Sequence, residues 1–475
     1  MSYLTERKIP TREKRLSTIS HFNGTLEQLK NESSGSEIKQ KIRTFSQINQ
    51  DEITSAISAL ASIKHAAVIV HGVQGCAASN IFFNAEGETT VYSTNLQEKD
   101  TILGSDAKLH KAISKIVEEV NPKVVFIVGT PVVAINNDDV NSVIFELEDE
   151  FNIKIIYIYT DGFKTKSPLS GIDIAAHGIL RNIVERPEDG EKSDFLNIIT
   201  FSETKKSIEG ITKLLDKLNI EYNLLPRFGS VEGLKNAGRA KASIVLSEDE
   251  GTYFAQELEE NFGVQFIKTE SPIGLMGTTS FLRRVAEIFG KEAEAEKIIS
   301  ENEAEIQKLV TDQVLSGKKV FLDGNLSDLP RLATLTGRLG GEVAGLSVKS
   351  IDLYNRSFLQ RLDSISPLVP VIVGSGQYFE KANALSKIHP DYYISQNGNV
   401  GFAEDLGILP VSLQNLVLFG YEGLFQIVNA IKNAEIFTSP VTSPDSESDT
   451  ETSKNLYLSS WLKKSGSWYV KQETK

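Results

Sequence analysis

A repeating unit of an apolar β-branched run, a glycine-containing turn and a charged amphipathic stretch constrains the fold more than any other feature of this sequence. Continuous Val and Ile runs are typical of parallel strands that are buried on both faces. The stretches between the runs carry apolar residues at helical spacing. Strands that alternate with helices predict an α/β fold with doubly wound parallel sheets. The predicted strands lie in 66–72, 123–130, 153–160, 195–201, 242–248, 318–324, 367–374 and 391–396.

Chain length and the grouping of these runs predict several domains. With 475 residues, the chain exceeds the ~250–300 residues at which a single hydrophobic core stops growing. We predict three Rossmann-like domains between two terminal segments, and we expect the polar N-terminal extension to wrap a neighbour. The predicted parts are the N-terminal extension (1–40), domain 1 with Cys76 (41–192), domain 2 (193–316), domain 3 (317–437) and an acidic linker with an aromatic tail (438–475).

The C-terminal segment differs in composition from the rest of the chain. Residues 438–454 contain two prolines, four acids and no large apolar residue, which is typical of a disordered linker. The residues that follow include both tryptophans of the protein, Trp461 and Trp468. Large aromatic side chains anchor interfaces, so this stretch is either a docking peptide or an element that packs on its own chain.

Composition excludes several classes of protein. The formal net charge of −13 disfavours wholesale nucleic-acid binding, which needs a positive cluster. No apolar stretch reaches the ~18 residues of a membrane span, and the polar start lacks the apolar run of a signal peptide. We therefore expect a cytoplasmic protein with neither nucleic acid nor membrane as a partner. The single cysteine, Cys76, excludes a disulfide scaffold and a metal site built from cysteines of this chain alone.

Nucleotide-binding motifs are weak or missing. The sequence has no G-x-x-x-x-G-K-[ST] loop. Gly374 and Gly376 follow a predicted strand, but Phe379 occupies the third glycine position of the dinucleotide fingerprint. A tight turn between strand and helix explains the glycine pair equally well. We therefore expect this chain to bind no nucleotide.

The segment 71–76, HGVQGC, combines features of a cofactor site. Its two glycines, Gly72 and Gly75, let the backbone bend sharply and approach a neighbouring group closely. Cys76 then places a soft ligand at the carboxyl end of a parallel strand, where open α/β sheets bind cofactors. A small cysteine after a turn is also a common packing residue, so the chemistry alone leaves both roles open.

An ordered series of motifs resembles the nitrogenase component 1 family. HGVQGCAAS at 71–79 resembles the HGxxGC signature of that family. Further segments resemble family motifs in the same order, namely 98–104, 124–140, 271–291, 399–408 and 419–424. The resemblance covers roughly residues 41–435. It implies three Rossmann-like domains around a central cleft, in agreement with the three groups of strands.

The resemblance also implies an iron–sulfur cluster at the interface with a partner subunit. Family members can bind this cluster through three cysteines of the first domain, and Cys76 matches the middle one. The first position falls at 49–51, where Asp51 is a distant candidate for an oxygen ligand, and the third falls at Pro131, which offers no ligand. A [4Fe–4S] cluster needs about four ligands, so a homologous partner with three cysteines would supply the others. The implied cofactor-binding residues are Gly72, Gly75 and Cys76, and the implied metal ligands are Cys76 and Asp51.

The function implied by the resemblance is shared between subunits. The chain would be one subunit of a nitrogenase-like two-component reductase, or of its cofactor-assembly scaffold, in a heterodimer or heterotetramer. An ATP-dependent iron–sulfur reductase would deliver the electrons. The second cofactor site of the family needs a later Cys and His, but no cysteine follows Cys76 and no histidine follows His389. The alternative is a cluster-free structural subunit that only assembles a homologous partner; a two-lobed binding protein of periplasmic type is a third hypothesis.

Overall fold

The computed structural model describes residues 15–39, 41, 51–83, 89, 91–165, 167–187, 190–398 and 400–437. The strands are β1 (Thr18–Ile19), β2 (Phe22–Thr25), β3 (Ala66–His71), β4 (Val91–Ser93), β5 (Val124–Gly129), β6 (Lys154–Ile158), β7 (Ser193–Thr200), β8 (Glu221–Pro226), β9 (Ala240–Val245), β10 (Gln265–Ile267), β11 (Lys319–Asp323), β12 (Glu342–Val348), β13 (Ile351–Asp352), β14 (Pro370–Val373), β15 (Tyr392–Ser395) and β16 (Leu409–Ser412). The helices are α1 (Leu26–Ser33), α2 (Glu52–Leu60), α3 (Gln74–Phe83), α4 (Glu98–Leu103), α5 (Asp106–Val120), α6 (Pro131–Asn136), α7 (Val140–Phe151), α8 (Leu169–Asn182), α9 (Lys205–Lys217), α10 (Val231–Asn236), α11 (Glu248–Phe262), α12 (Gly274–Phe289), α13 (Glu292–Thr311), α14 (Leu329–Arg338), α15 (Tyr378–Ile388) and α16 (Tyr421–Phe437). Short 3₁₀ helices occupy Ala237–Arg239, Arg356–Leu362 and Gly401–Leu406. The predicted acidic linker and aromatic tail, with Trp461 and Trp468, lie outside the described residues.

Three sheets carry the fold, one for each predicted group of strands. The first has the order β4-β3-β5-β6 and the second the order β10-β9-β7-β8, and both are entirely parallel. The third has the order β16-β15-β11-β12-β14-β2, in which only β2 is antiparallel. Each of the eight predicted runs overlaps a strand. The predicted α/β class with Rossmann-like parallel sheets is therefore confirmed, whereas the domain boundaries stay a prediction.

Five strands of the parallel sheets are absent from the sequence-based prediction, and their composition explains why. Strands β4 and β10 have three residues each, which is too short for a periodic pattern. Strand β8 begins with the polar residues EYN, β12 is interrupted by Gly345, and β16 contains a proline. In the folded chain the Phe321 ring takes the space of a side chain at Gly345, since a Cβ there would lie 2.4 Å from Phe321 Cδ2.

The first sheet positions the predicted cofactor segment, because the segment 71–76 begins at the last residue of β3. Every residue of β3 and β5 is buried, and the two strands pair in parallel over six residues. Helices α2 and α8 cross closely beside this sheet, because a Cβ on Gly171 would lie only 1.9 Å from Glu52 O. In the described part of the chain, none of the helices is both long enough and apolar enough to cross a membrane.

The described part of the N-terminal extension packs on its own chain, and the expected wrapping of a neighbour stays a prediction. Strand β2 pairs with β14 and so forms an edge of the third sheet. The side chain of Arg15 is fully buried, and it binds Asp173 Oδ2 at 2.6 Å, Asp352 Oδ2 at 2.9 Å and Asp249 O at 2.8 Å. These partners lie on α8, β13 and α11, so one arginine joins elements of all three predicted domains.

Candidate functional site

Cys76 lies in the first turn of α3, beyond the carboxyl end of β3. Its backbone N–H donates to Val73 O at 3.0 Å, which closes the turn between strand and helix. The Cys76 side chain is partly buried. Burial, together with the negative charge of Asp51, raises the pKa of the thiol. The protonated thiol is therefore favoured at neutral pH, and a metal must displace its proton in order to bind.

Packing explains the glycine at position 72 but not the glycine at position 75. The chain bends at Gly72, where β3 ends, although neither glycine adopts the left-handed backbone conformation. A Cβ on Gly72 would lie 2.4 Å from Thr130 Oγ1, which confirms the predicted close approach at this position. A Cβ on Gly75 would meet no atom within 4 Å. The packing of this chain thus requires glycine at 72 but not at 75; a role of either residue in binding a cofactor stays a prediction.

Asp51 and Pro131, at the two other family ligand positions, each begin a helix. Asp51 is the N-cap of α2, and its Oδ1 accepts the backbone N–H of Thr54 at 2.8 Å. Pro131 is the first residue of α6. A Cβ on Gly162 would lie 2.9 Å from Ile53 Cδ1 and 3.5 Å from Pro131 Cγ, so the beginnings of α2 and α6 meet there. Since the Asp51 charge also acts on the cysteine thiol, the three positions gather at one edge of the first sheet. Asp51 as a metal ligand stays a prediction.

His71 ends β3 and has a structural role. Its ring is fully buried, with Nδ1 3.1 Å from Thr94 Oγ1 and Nε2 3.2 Å from Ser105 Oγ. Burial lowers the pKa of His71 to about 4, so the ring is neutral at pH 7. Ser105 in turn donates to Asp138 Oδ2 at 2.5 Å. His71 therefore joins the loops that surround the Cys76 turn, and its nitrogens are already engaged.

Large apolar side chains are exposed along the carboxyl edge of the first sheet. Ile102 and Leu103 at the end of α4 are 73% and 84% exposed, and Ile135 on α6 is 74% exposed. Asn136 Nδ2 donates to Thr101 O at 3.2 Å and so holds α4 beside α6. We name Ile102, Leu103 and Ile135 the apolar edge patch. Clustered exposed apolar side chains mark protein interfaces more often than single ones.

A central cleft of about 600 Å³ lies between the three sheets, as the resemblance implies. Four buried carboxyl groups line it. Asp323 at the end of β11 is paired with Lys381 at 2.9 Å. The other three are Glu203 after β7, Glu250 on α11 and Asp328 before α14. Burial, reinforced by the charge of Glu250, raises the pKa of Glu203 well above its usual range. Burial also raises the pKa of Asp328 to about 7. Within the described residues, Glu250 Oε2 is buried without a hydrogen-bond partner. The cleft can therefore hold protons at neutral pH.

The donor atoms of this chain do not fit a metal cofactor in the central cleft. The residues that line the cleft include neither cysteine nor histidine, as the sequence predicts. Among the described residues, no group of three His, Cys, Asp or Glu side chains is arranged to hold a metal ion. Sequence reasoning missed the carboxyl groups of the cleft, because they follow different strands and share no local motif.

Comparison with known proteins places the chain in one family. The model of the nitrogenase component 1 type oxidoreductases matches residues 53–435. The nitrogenase iron-molybdenum cofactor biosynthesis protein NifE of Methanococcus maripaludis is 28% identical over 298 residues, which are 60% of this chain and 62% of that protein. The protein of the same name from Clostridium pasteurianum is 30% identical over 270 residues, or 54% of this chain and 59% of that protein. The chain thus spans about 60% of the length of these curated relatives.

A further relative and a solved structure agree with this placement. The nitrogenase molybdenum-iron protein alpha chain of Methanosarcina barkeri is 26% identical over 382 residues, which are 76% of this chain and 68% of that one. The solved structure "Nitrogenase Cp1 at pH 6.5" superposes with a TM-score of 0.72 at 20% identity, and the match covers 86% of this chain and 97% of that chain. At this identity the structure supports the fold alone. The family model extends from α2 through all three parallel sheets into α16, and the chain therefore belongs to the nitrogenase component 1 type oxidoreductases.

Proposed function

We propose that this chain is a subunit of a nitrogenase-like two-component reductase, or of its cofactor-assembly scaffold, and that Cys76 is one ligand of an iron–sulfur cluster at a subunit interface. A homologous component 1 subunit supplies three further cysteines in a heterodimer or heterotetramer in the cytoplasm. An ATP-dependent iron–sulfur reductase supplies the electrons, and catalysis is shared with the partner subunit. The relatives named for cofactor biosynthesis support the scaffold role.

The single observation that carries this proposal is the position of Cys76. The only thiol of the chain lies partly exposed on the turn after β3, next to open space at Gly75. These features fit one ligand of a cluster whose other ligands come from outside the chain. Such a cluster supplies one-electron transfer, and backbone N–H groups near its sulfur atoms tune its potential. This chain's own contribution is to hold the cysteine on the α3 turn and to release the thiol proton.

The apolar edge patch supports a protein partner on this side of the molecule. The patch follows β4 and β5, and Cys76 follows β3, so all of these groups lie at the carboxyl edge of one parallel sheet. Burying Ile102, Leu103 and Ile135 against a second subunit would remove apolar surface from water, at roughly 25 cal/mol per Å². The same contact would shield the Cys76 thiol from solvent.

The rival function is a cluster-free structural subunit that only assembles its partner. Two observations favour it: the chain has one sulfur ligand, and its surroundings raise the pKa of that thiol. Purification of the complex without oxygen, followed by iron and sulfide analysis, separates the two functions. Iron and sulfide in the stable complex support the cluster, whereas a stable complex without them supports the rival.

Substitution of Cys76 then tests the ligand assignment. We expect Cys76→Ala to leave a labile or three-iron cluster, and Cys76→Ser to have an intermediate effect because oxygen is a harder ligand than sulfur. Electron paramagnetic resonance of the reduced complex measures both. As a control, the isolated chain should lose at most ~1–2 kcal/mol of stability, since Ala and Ser are close to Cys in volume. An unchanged [4Fe–4S] signal with unchanged iron content in Cys76→Ala would rule out Cys76 as a ligand.

A further inference from the structure

A second cleft, of about 880 Å³, opens at the amino-terminal edge of the first sheet. Its lining includes the residues at the beginnings of β5 and β6, the C-terminal end of α8 and the last turn of α10. Cys76 lies beyond the carboxyl end of β3, which is parallel to β5. This cleft is therefore on the opposite edge of the sheet from the proposed cluster ligand, and it is also separate from the central cleft.

The charge of this cleft is opposite to that of the whole chain. One carboxylate, Glu185, lines it together with six basic side chains, whereas the chain carries a net charge of −13. We name the six side chains the basic cleft: Lys123, Lys154, Arg181, Arg186, Lys235 and Arg239. Acidic residues outnumber basic ones in the sequence, so a random sample of its surface would not be basic.

Nearby carboxylates neutralise only part of this charge. Lys154 Nζ is 3.4 Å from Glu148 Oε1 and Lys123 Nζ is 3.8 Å from Glu232 Oε2, and both lysines are exposed to solvent. Ion pairs at the protein surface are weak, so an anion can compete for these lysines. Arg181 and Lys235 have no carboxylate oxygen within 4.0 Å in the described part of the chain.

Helix dipoles explain the positions of two side chains of the basic cleft, but not the positions of all six. Arg181 and Lys235 lie in the last turns of α8 and α10, where the helix dipole favours positive charge. Lys123 and Lys154 instead stand at the beginnings of strands, where no helix end requires a cation. The convergence of cations from two strands and two helices on one cavity therefore needs a different explanation.

We propose that the basic cleft binds a compact multivalent oxyanion of the chemical class of pyrophosphate. Lysine and arginine side chains are the usual protein ligands of phosphate oxygens, and several of them together favour a multivalent anion. The lining residues include no aromatic side chain on which a nucleobase could stack. The ligand class is therefore an oligophosphate without a base, and this site is independent of the function proposed above.

Calorimetric titration of the full-length chain with sodium pyrophosphate, at low and at physiological ionic strength, tests this site. We expect one bound pyrophosphate per chain, with an affinity that falls as salt rises. Arg181→Ala and Lys235→Ala should each weaken binding about tenfold, as expected for the loss of one charge-assisted contact. Lys297→Ala, at a lysine that is 78% exposed on α13 and outside the cleft, is the matched control and should bind like the wild type.

Three results would overturn the proposal. The first is the absence of binding at low ionic strength. The second is an equal loss of affinity in Lys297→Ala and in the cleft variants, which would indicate a general charge effect. The third is tighter binding of ATP than of tripolyphosphate, which would contradict a site without base recognition. Circular dichroism checks that each variant is folded, and Arg181 and Lys297 both lie at exposed positions, where truncation leaves the core unchanged.

Discussion

Arg15 offers the sharpest test of how the three predicted domains are held together. Its guanidinium binds two carboxylates and one backbone carbonyl, and the side chains of Arg15, Asp173 and Asp352 are all 0% exposed. Removing one partner of a buried ion pair leaves an uncompensated charge and typically costs about 3–5 kcal/mol. We therefore expect Arg15→Met to lose about 3–5 kcal/mol of folding free energy. Methionine is chosen because it retains the packing of the arginine stem.

Denaturation in urea, followed by circular dichroism, measures this loss. Arg283→Met is the matched control, because Arg283 forms an exposed ion pair with Glu296 and should contribute about 0–1 kcal/mol. The double variant Arg15→Met/Asp352→Asn also removes the charge of one carboxylate that has lost its arginine partner. Asparagine at 352 can still accept hydrogen bonds from the backbone N–H groups of Tyr354 and Asn355. The double variant should therefore be more stable than Arg15→Met. If Arg15→Met lost no more stability than Arg283→Met, Arg15 would not join the domains.

Three further predictions concern the central cleft, the helix crossing and the C-terminus. Folding raises the pKa of Asp328 to about 7, so its contribution to stability is greatest below the unfolded pKa and is lost as pH rises from about 4 to 7. Asp328→Asn should remove this loss, so the urea midpoint of the variant should exceed that of the wild type more at pH 8 than at pH 5. Gly171→Ala should lower the melting temperature strongly, because its Cβ would overlap Glu52 O between α2 and α8. Deletion of 438–475 should leave the core folded but weaken co-purification of the partner if Trp461 and Trp468 are anchors. Wild-type association of the truncated chain would contradict the docking role.

The sequence predicts the fold well because the signal is local. A run such as 123–130 must be buried on both faces wherever it lies, so its composition alone identifies a parallel strand. The pairing of the N-terminal extension with the third sheet was not predicted, because its signal is not local. Strand β2 has only four residues, of which one is buried, and its partner β14 lies more than 340 residues away in the sequence. Nothing near Phe22 in the sequence reveals that pairing.

The carboxyl groups of the central cleft could not be predicted from the sequence either. Glu203, Glu250 and Asp328 each follow an ordinary strand-to-helix pattern, and only the assembled domains bring their carboxyl groups together. Their raised pKa values come from burial, which is a property of the folded chain and not of any motif. The ion pairs of Arg15 are equally hidden in the sequence, because its partners Asp173 and Asp352 are 158 and 337 residues away.

Contacts within this chain explain why residue 72 is a glycine, but they do not explain the glycine at position 75. Gly72 is accounted for internally, because Thr130 occupies the space that a side chain would need. Gly75 faces open space, Cys76 is partly exposed, and the apolar edge patch is uncovered on the same edge of the sheet. Since leaving apolar side chains in water is unfavourable, a second subunit at this edge gives all three features one physical reason.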